Sequence, residues 1–227
     1  MLDQDTPRHR LLAAALAVAA QKAWSDVALI DIAEAAKVPL AELRGEFSSK
    51  SDILAALVRT VDDEVLKRAE KRAEGQSPRD VLFDIIMTRF DVLAPHKAAL
   101  KSMNAAGQAD ARLARALFDS QHWMLQAAGI GTDGAAGRLR VSGLAFVYAS
   151  VFRTWLDDDD PGLARTMAAL DRRLRRGERT LQGVEQVGSV VHRLATDGPA
   201  FLRSVLRGRR KPDAESGSGK GADANTL

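Results

Sequence analysis

An all-α fold is predicted, and three features of the sequence predict it. Helix-forming Ala, Leu, Arg and Glu dominate its 227 residues. Apolar residues recur at three- and four-residue spacing, the period of a helix with one buried face. Turn-bounded runs of β-branched residues, the mark of strands, are scarce. The expected architecture is an N-terminal three-helix helix-turn-helix unit over residues 1–50 and a larger C-terminal helical bundle over 51–210. A tail over 211–227 follows.

Thr6-Pro7 reads as the N-cap and first turn of the opening helix, with Leu12, Leu16, Ala19, Ala20 and Ala23 along one face. A short helix fits Ala28–Ala36, with Leu29, Ile32, Ala33 and Ala36 inward. Lys37-Val38 breaks it, and Pro39 suits the first position of a third short helix that passes Leu43 and stops near Gly45. Ser49 and Asp52 match a capping box that opens a long helix. Its stripe is Leu54, Leu57, Val58, Val61 and Val65, with Asp63/Lys67 and Glu64/Arg68 paired four apart on the exposed side. Ser77-Pro78 then starts a helix carrying Leu82, Ile85, Ile86, Phe90 and Leu93. Pro95 marks the next boundary, with helices expected over Pro95–Ala106 and Ala109–Ala128. Glycines from Gly129 to Gly137 form a connector to a long apolar helix containing Leu144, Val147, Tyr148, Val151, Phe152 and Trp155. Asp157–Asp160 and Pro161 end it and begin Leu163–Arg179. A last helix fits Pro199–Arg207, and the Gly/Ser/Ala-rich composition from Pro212 reads as disordered.

Several function classes find no support. With no cysteine there are no disulfides, thiolate metal sites or cysteine nucleophiles. Gly129-x-Gly131-x-x-Gly134 spells a dinucleotide fingerprint, but it follows a helix rather than a strand and reads as a loop. His9, His96, His122 and His192 lack metal-ligand spacing, and Asp157–Asp160 suits the start of a helix better than a cation site. No nucleophile–base pair is readable. Neither catalysis, a cofactor nor a metal is therefore expected. The apolar run Leu11–Ala20 is too short to span a bilayer, and Asp3 and Asp5 oppose a secretory leader. A cytoplasmic location is expected.

A helix, a short helix, a tight turn and a second short helix is the layout of a groove-reading unit. Ile32, Val38, Leu43 and Phe47 would brace it against Leu12 and Leu16. The run Ile32-Ala33-Glu34-Ala35-Ala36-Lys37-Val38, with Leu43, Phe47, Ser48-Ser49-Lys50 and Ile53-Leu54, resembles the signature of the TetR family of transcriptional regulators. That resemblance implies a homodimeric repressor with a DNA-binding N-terminal domain and a ligand-binding, dimerising C-terminal domain. It implies that Leu40, Ala41, Glu42 and Arg44 face the groove, that Lys50 touches a phosphate, and that Lys37 occupies the turn. Three positions depart from the family pattern. Lys37 replaces a glycine, Arg44 an aromatic, and Glu46 an aromatic or imidazole. Residues 1–60 carry seven cations against eight acids, a handicap where phosphate contacts supply affinity. A carboxylate at Glu42 is still compatible with one groove contact, the cytosine amino group.

In the C-terminal half, Met87, Phe90, Met103, Phe118, Trp123, Met124, Phe152 and Trp155 are candidates to line a cavity for an apolar small-molecule effector. Phe146, Val147 and Val151 suit a dimer seam. A second resemblance runs from Trp155 through Asp157–Asp160 and Pro161 to Leu170-Asp171-Arg172-Arg173. It looks like the TetR-fold lipid-binding proteins of coenzyme Q biosynthesis, and it implies an alternative, a non-catalytic lipid or isoprenoid binder. Residues 171–211 carry eleven cations against four acids. Phe201, Leu202, Arg203, Val205, Leu206 and Arg207 make a basic amphipathic stretch suited to an anionic membrane surface.

Overall fold

Local signals in the sequence start most of the helices. Thr6 accepts the His9 N–H at 3.2 Å and Pro7 follows, opening α1 (Pro7–Ala19). The computed structural model describes residues 5–69, 73–107 and 110–179, and among them every regular element is helical. After α1 come α2 (Leu29–Ala36), α3 (Leu40–Glu46) and α4 (Lys50–Arg68), which starts at the expected Ser49 cap. Ser77 and Pro78 open α5 (Pro78–Leu93); α6 (Lys97–Ala105) follows a 3-10 turn at Ala94–His96. Asp110 accepts the N–H groups of Arg112 and Leu113 to open α7 (Ala111–Ala127), and α8 (Gly134–Leu156) is the longest of these elements. Residues 164–179 form α9. The acidic run before α9 serves as its cap. Asp160 accepts the N–H of Ala164 at 3.1 Å and Asp158 that of Thr166 at 2.9 Å.

Leu11, Leu12 and Leu16 of α1 are buried with Ile32, Val38, Leu43 and Phe47, so α1 backs the α2–α3 pair. The long α4 leaves this head and packs against α5 and α7, while α8 lies on α7. The first helix ends before Ala20, and Ala20 and Ala23 are exposed rather than inward. The reason is a turn: Gln21 and Lys22 donate back to the Val18 carbonyl, and the chain continues into a 3-10 turn, Trp24–Asp26. Trp24, only 1% exposed, fills the space instead. Pro39 is the N-cap of α3, one residue before its expected place. On α4, Leu54 and Val58 are half-buried while Ile53, Ala55, Ala56 and Asp62 are buried, because neighbours cover that helix on several sides. The glycine connector is shorter than expected, since α8 already begins at Gly134. Residues Pro199–Arg207, with the membrane-contact candidates Phe201, Leu202, Arg203, Val205, Leu206 and Arg207, lie outside the described residues, as does the tail from Pro212.

Candidate nucleic-acid interface

The turn between α2 and α3 is built around Lys37, at φ 54 and ψ 43. Its N–H donates to the Glu34 carbonyl and that of Val38 to Ala33, both at 3.0 Å, closing α2 through a left-handed cap. Glycine adopts that conformation without the Cβ penalty; lysine holds it at a cost of order 1 kcal/mol. Pro39 then accepts the N–H groups of Glu42 and Leu43 and starts α3. Leu43 is fully buried, whereas Leu40, Ala41, Glu42, Arg44, Gly45 and Glu46 are exposed. A short helix is thus anchored by one leucine and its flanking Val38 and Phe47, and its whole outer surface faces solvent.

Several acids that weigh against nucleic acid are covered internally. Arg8 pairs with Glu46 at 3.2 Å while lying 4.8 Å over the Phe47 ring. Lys22 pairs with Asp31 at 2.9 Å, and the Ala28 N–H and Lys22 hold that carboxyl below the usual range. Asp52 accepts from Arg112 at the start of α7, so the body lends the head a cation. Burial opposes the Asp52 charge, but Arg112 and the Ser48 N–H outweigh it and its carboxyl stays below the ordinary value.

Lys50 is tied inward. Its ammonium donates to the carbonyls of Trp24 at 2.7 Å and Val27 at 2.9 Å and lies 5.1 Å from the Trp24 ring. Burial, first among its causes, lowers its pKa. Two of its three N–H donors are therefore committed to holding the 24–27 turn against α4. The Trp24 N–H in turn donates to Ser102 Oγ on α6 at 2.9 Å, joining that turn to the body. Lys50→Met is expected to lower the unfolding free energy by about 1.5–3 kcal/mol, the range for hydrogen bonds to a charged group. Urea titration checks this, and an unchanged midpoint with an unchanged slope would remove the tethering role.

In the body, Phe90 stacks on Tyr148 at 5.8 Å and on Trp155 at 5.2 Å between centroids, and Phe152 stacks on Tyr148 and contacts Trp155. Phe90, Phe152 and Trp155 are thus brought together between α5 and α8. Met124 is buried and Met87 half-buried, both packed on the same core. Phe118 and Trp123 are not part of that stack: they are 46% and 53% exposed on α7. Of the seam candidates, Phe146 is 71% exposed, Val147 is partly buried and Val151 is fully buried in the chain's own core. The four-residue step from Val147 turns Val151 toward Leu144, Tyr148 and Trp155, so it has no surface to offer a partner.

Sequence reasoning missed a buried polar node. Asp62 of α4 accepts from Arg89 of α5 and, at 2.7 Å, from Ser120 Oγ of α7; Arg89 Nε donates to Tyr148 Oη of α8 at 2.9 Å. Burial pushes the Tyr148 phenol up, so it remains a neutral partner. The available signal was charge at a stripe position: Asp62 follows Val58 by four, and Arg89 follows Ile85 by four. A cleft of about 640 Å³ opens between α1 and the α5–α6 corner, lined by residues including Ala13, Leu16, Arg68, Asp91 and His96. None of the expected effector-lining residues borders it.

A short, exposed helix that follows a tight turn and is braced by Leu43, joined to a helical body, defines the fold class: a helix-turn-helix head with a helical body. No family model and no curated protein matches this chain. Solved structures do. A TetR transcriptional regulator from Nitrosomonas europaea superposes with a TM-score of 0.60 at 25% identity, covering 76% of this chain and 98% of that one. A TetR regulator from a Rhodococcus species gives 0.59 at 20% identity, covering 76% and 96%. A TetR-family regulator from Streptomyces coelicolor gives 0.54 at 17% identity, covering 90% and 98%. In fold, this chain is similar to TetR-family transcriptional regulators.

Proposed function

We propose that this protein is a DNA-binding transcriptional regulator, a repressor that works as a homodimer and is released by an apolar small molecule. The observation that carries the reading is α3: six of its seven residues are exposed while Leu43 alone locks it to the core. A helix so held enters a major groove without rearrangement, and its first residues reach base edges. Pairing of Glu46, Asp31 and Asp52 with Arg8, Lys22 and Arg112 supports it further by shielding acids of the head.

The body supports the remaining parts. Phe146 at 71% and Leu139 at 49% exposure lie seven residues apart on one face of α8, with Met167 of α9 at 38%. Exposed apolar groups of this size on adjacent helices suit a seam between two copies. The stack of Phe90, Tyr148, Phe152 and Trp155, buried but for a half-buried Phe152, is an aromatic cluster that an apolar effector would have to part in order to bind. An effector favouring a dimer whose reading helices no longer match half-sites ~34–36 Å apart shifts the population away from the bound form. Mobility shift on duplexes from the protein's own upstream region, across ~50–200 mM salt, tests the reading. A specific complex resisting scrambled competitor and weakening steeply with salt is the expected result. Equally weak binding to every duplex overturns it.

A further inference from the structure

The outer surface of α3 is divided by chemistry. At about 100° per residue, with Leu43 pointing inward, Ala41 and Gly45 project furthest out. Leu40 and Arg44 occupy one flank, and Glu42 and Glu46 the other. The two acids are not equivalent. Glu46, at the C-terminal end, is held by Arg8 of α1. The side chain of Glu42, in the first turn, makes no ion pair or hydrogen bond among the described residues, and the same is true of the Arg44 side chain. Glu42 is therefore an uncompensated carboxylate at the end of the helix that meets base edges.

An ionised carboxylate only accepts hydrogen bonds. The major-groove edges of guanine and thymine present acceptors to it, and adenine sets its N7 acceptor beside its amino group. Cytosine alone offers an amino donor with no neighbouring acceptor. Resting on the DNA-reading function proposed above, we infer that Glu42 is a base-specificity residue that accepts from the amino group of a cytosine in each half-site. It acts as much by repulsion as by attraction: guanine or thymine at that position leaves a desolvated carboxylate facing acceptors, and adenine sets its N7 acceptor beside the one donor it offers. The acid that lowers the head's general affinity for phosphate thereby raises its selectivity. Glu42 is exposed in the free protein, so its replacement is expected to leave the fold unstrained.

Selection of duplexes from a randomised library by the full chain, alongside Glu42→Ala and Glu42→Gln, tests this. Wild type is expected to enrich a motif with one cytosine per half-site whose replacement costs roughly tenfold or more in affinity. Glu42→Ala is expected to lose preference at that position alone and to bind unrelated duplexes more tightly. Glu42→Gln is expected to move the preference toward adenine, which a carboxamide meets with both its donor and its acceptor. An enriched motif whose base preferences are unchanged in Glu42→Ala overturns the inference while leaving DNA reading intact. No enriched motif for wild type overturns the DNA reading itself, and this inference with it.

Discussion

Asp62→Ala is expected to lower the unfolding free energy by about 3–5 kcal/mol, the cost of leaving a buried charge without its partner. Arg89, 2% exposed, would keep Tyr148 as an acceptor that it meets through Nε, but Nη1 would face the space left by the carboxylate. Ser120 Oγ would lose its acceptor in the same step. Because the four residues come from α4, α5, α7 and α8, the loss reaches every helix of the body that contacts the node. Equilibrium urea unfolding measures it. Exchanging Asp62 and Arg89 together for apolar residues of similar volume is expected to restore most of the stability, since a buried ion pair gives little net gain over good packing. A double variant no better than Asp62→Ala would show that packing rather than charge was lost.

Gly137→Ala carries the second large effect. A Cβ at this helical position would stand 1.9 Å from the Thr132 carbonyl carbon and 2.0 Å from its oxygen. Both are backbone atoms and have no rotamer by which to retreat, so the connector must move off the first turn of α8. A loss of about 3 kcal/mol, at the upper end for overpacking, is expected. Gly45→Ala is the internal contrast. Nothing lies within 4 Å of its Cβ, so alanine there is expected to raise stability by about 0.5–1 kcal/mol through helix propensity alone. Calorimetric midpoints of the two variants moving in the same direction would contradict the steric argument.

Helix starts were legible because each is a local event. Thr6, Ser49 and Ser77 sit within a few residues of the N–H groups they cap, and chain spacing decides whether they reach. The brace of α3 was legible for a similar reason: Val38, Leu43 and Phe47 recur with the period of a short element that needs one buried edge. Lys37 was readable as the turn residue although it lacks the conformational freedom of glycine, because Val38 and Pro39 leave the chain no helical continuation. Trp24 was missed because the turn that buries it depends on α6, through Ser102, almost eighty residues away. Val151 was misplaced for a related reason. An apolar face on α8 looks the same in sequence whether it meets α7 and α5 or a second copy.

The sequence by itself determined the helical class, the order of the elements and the outward face of α3, since periodicity and capping act over one or two turns. Only the tertiary structure decided which charges are spent. Arg8 on Glu46, Arg112 on Asp52, Lys50 on the carbonyls of Trp24 and Val27, and Arg89 on Asp62 all join residues 23 to 60 positions apart. Coulomb energy falls with distance in space, not along the chain. A count of charges over residues 1–60 therefore could not tell Glu46, already neutralised, from Glu42, which is not.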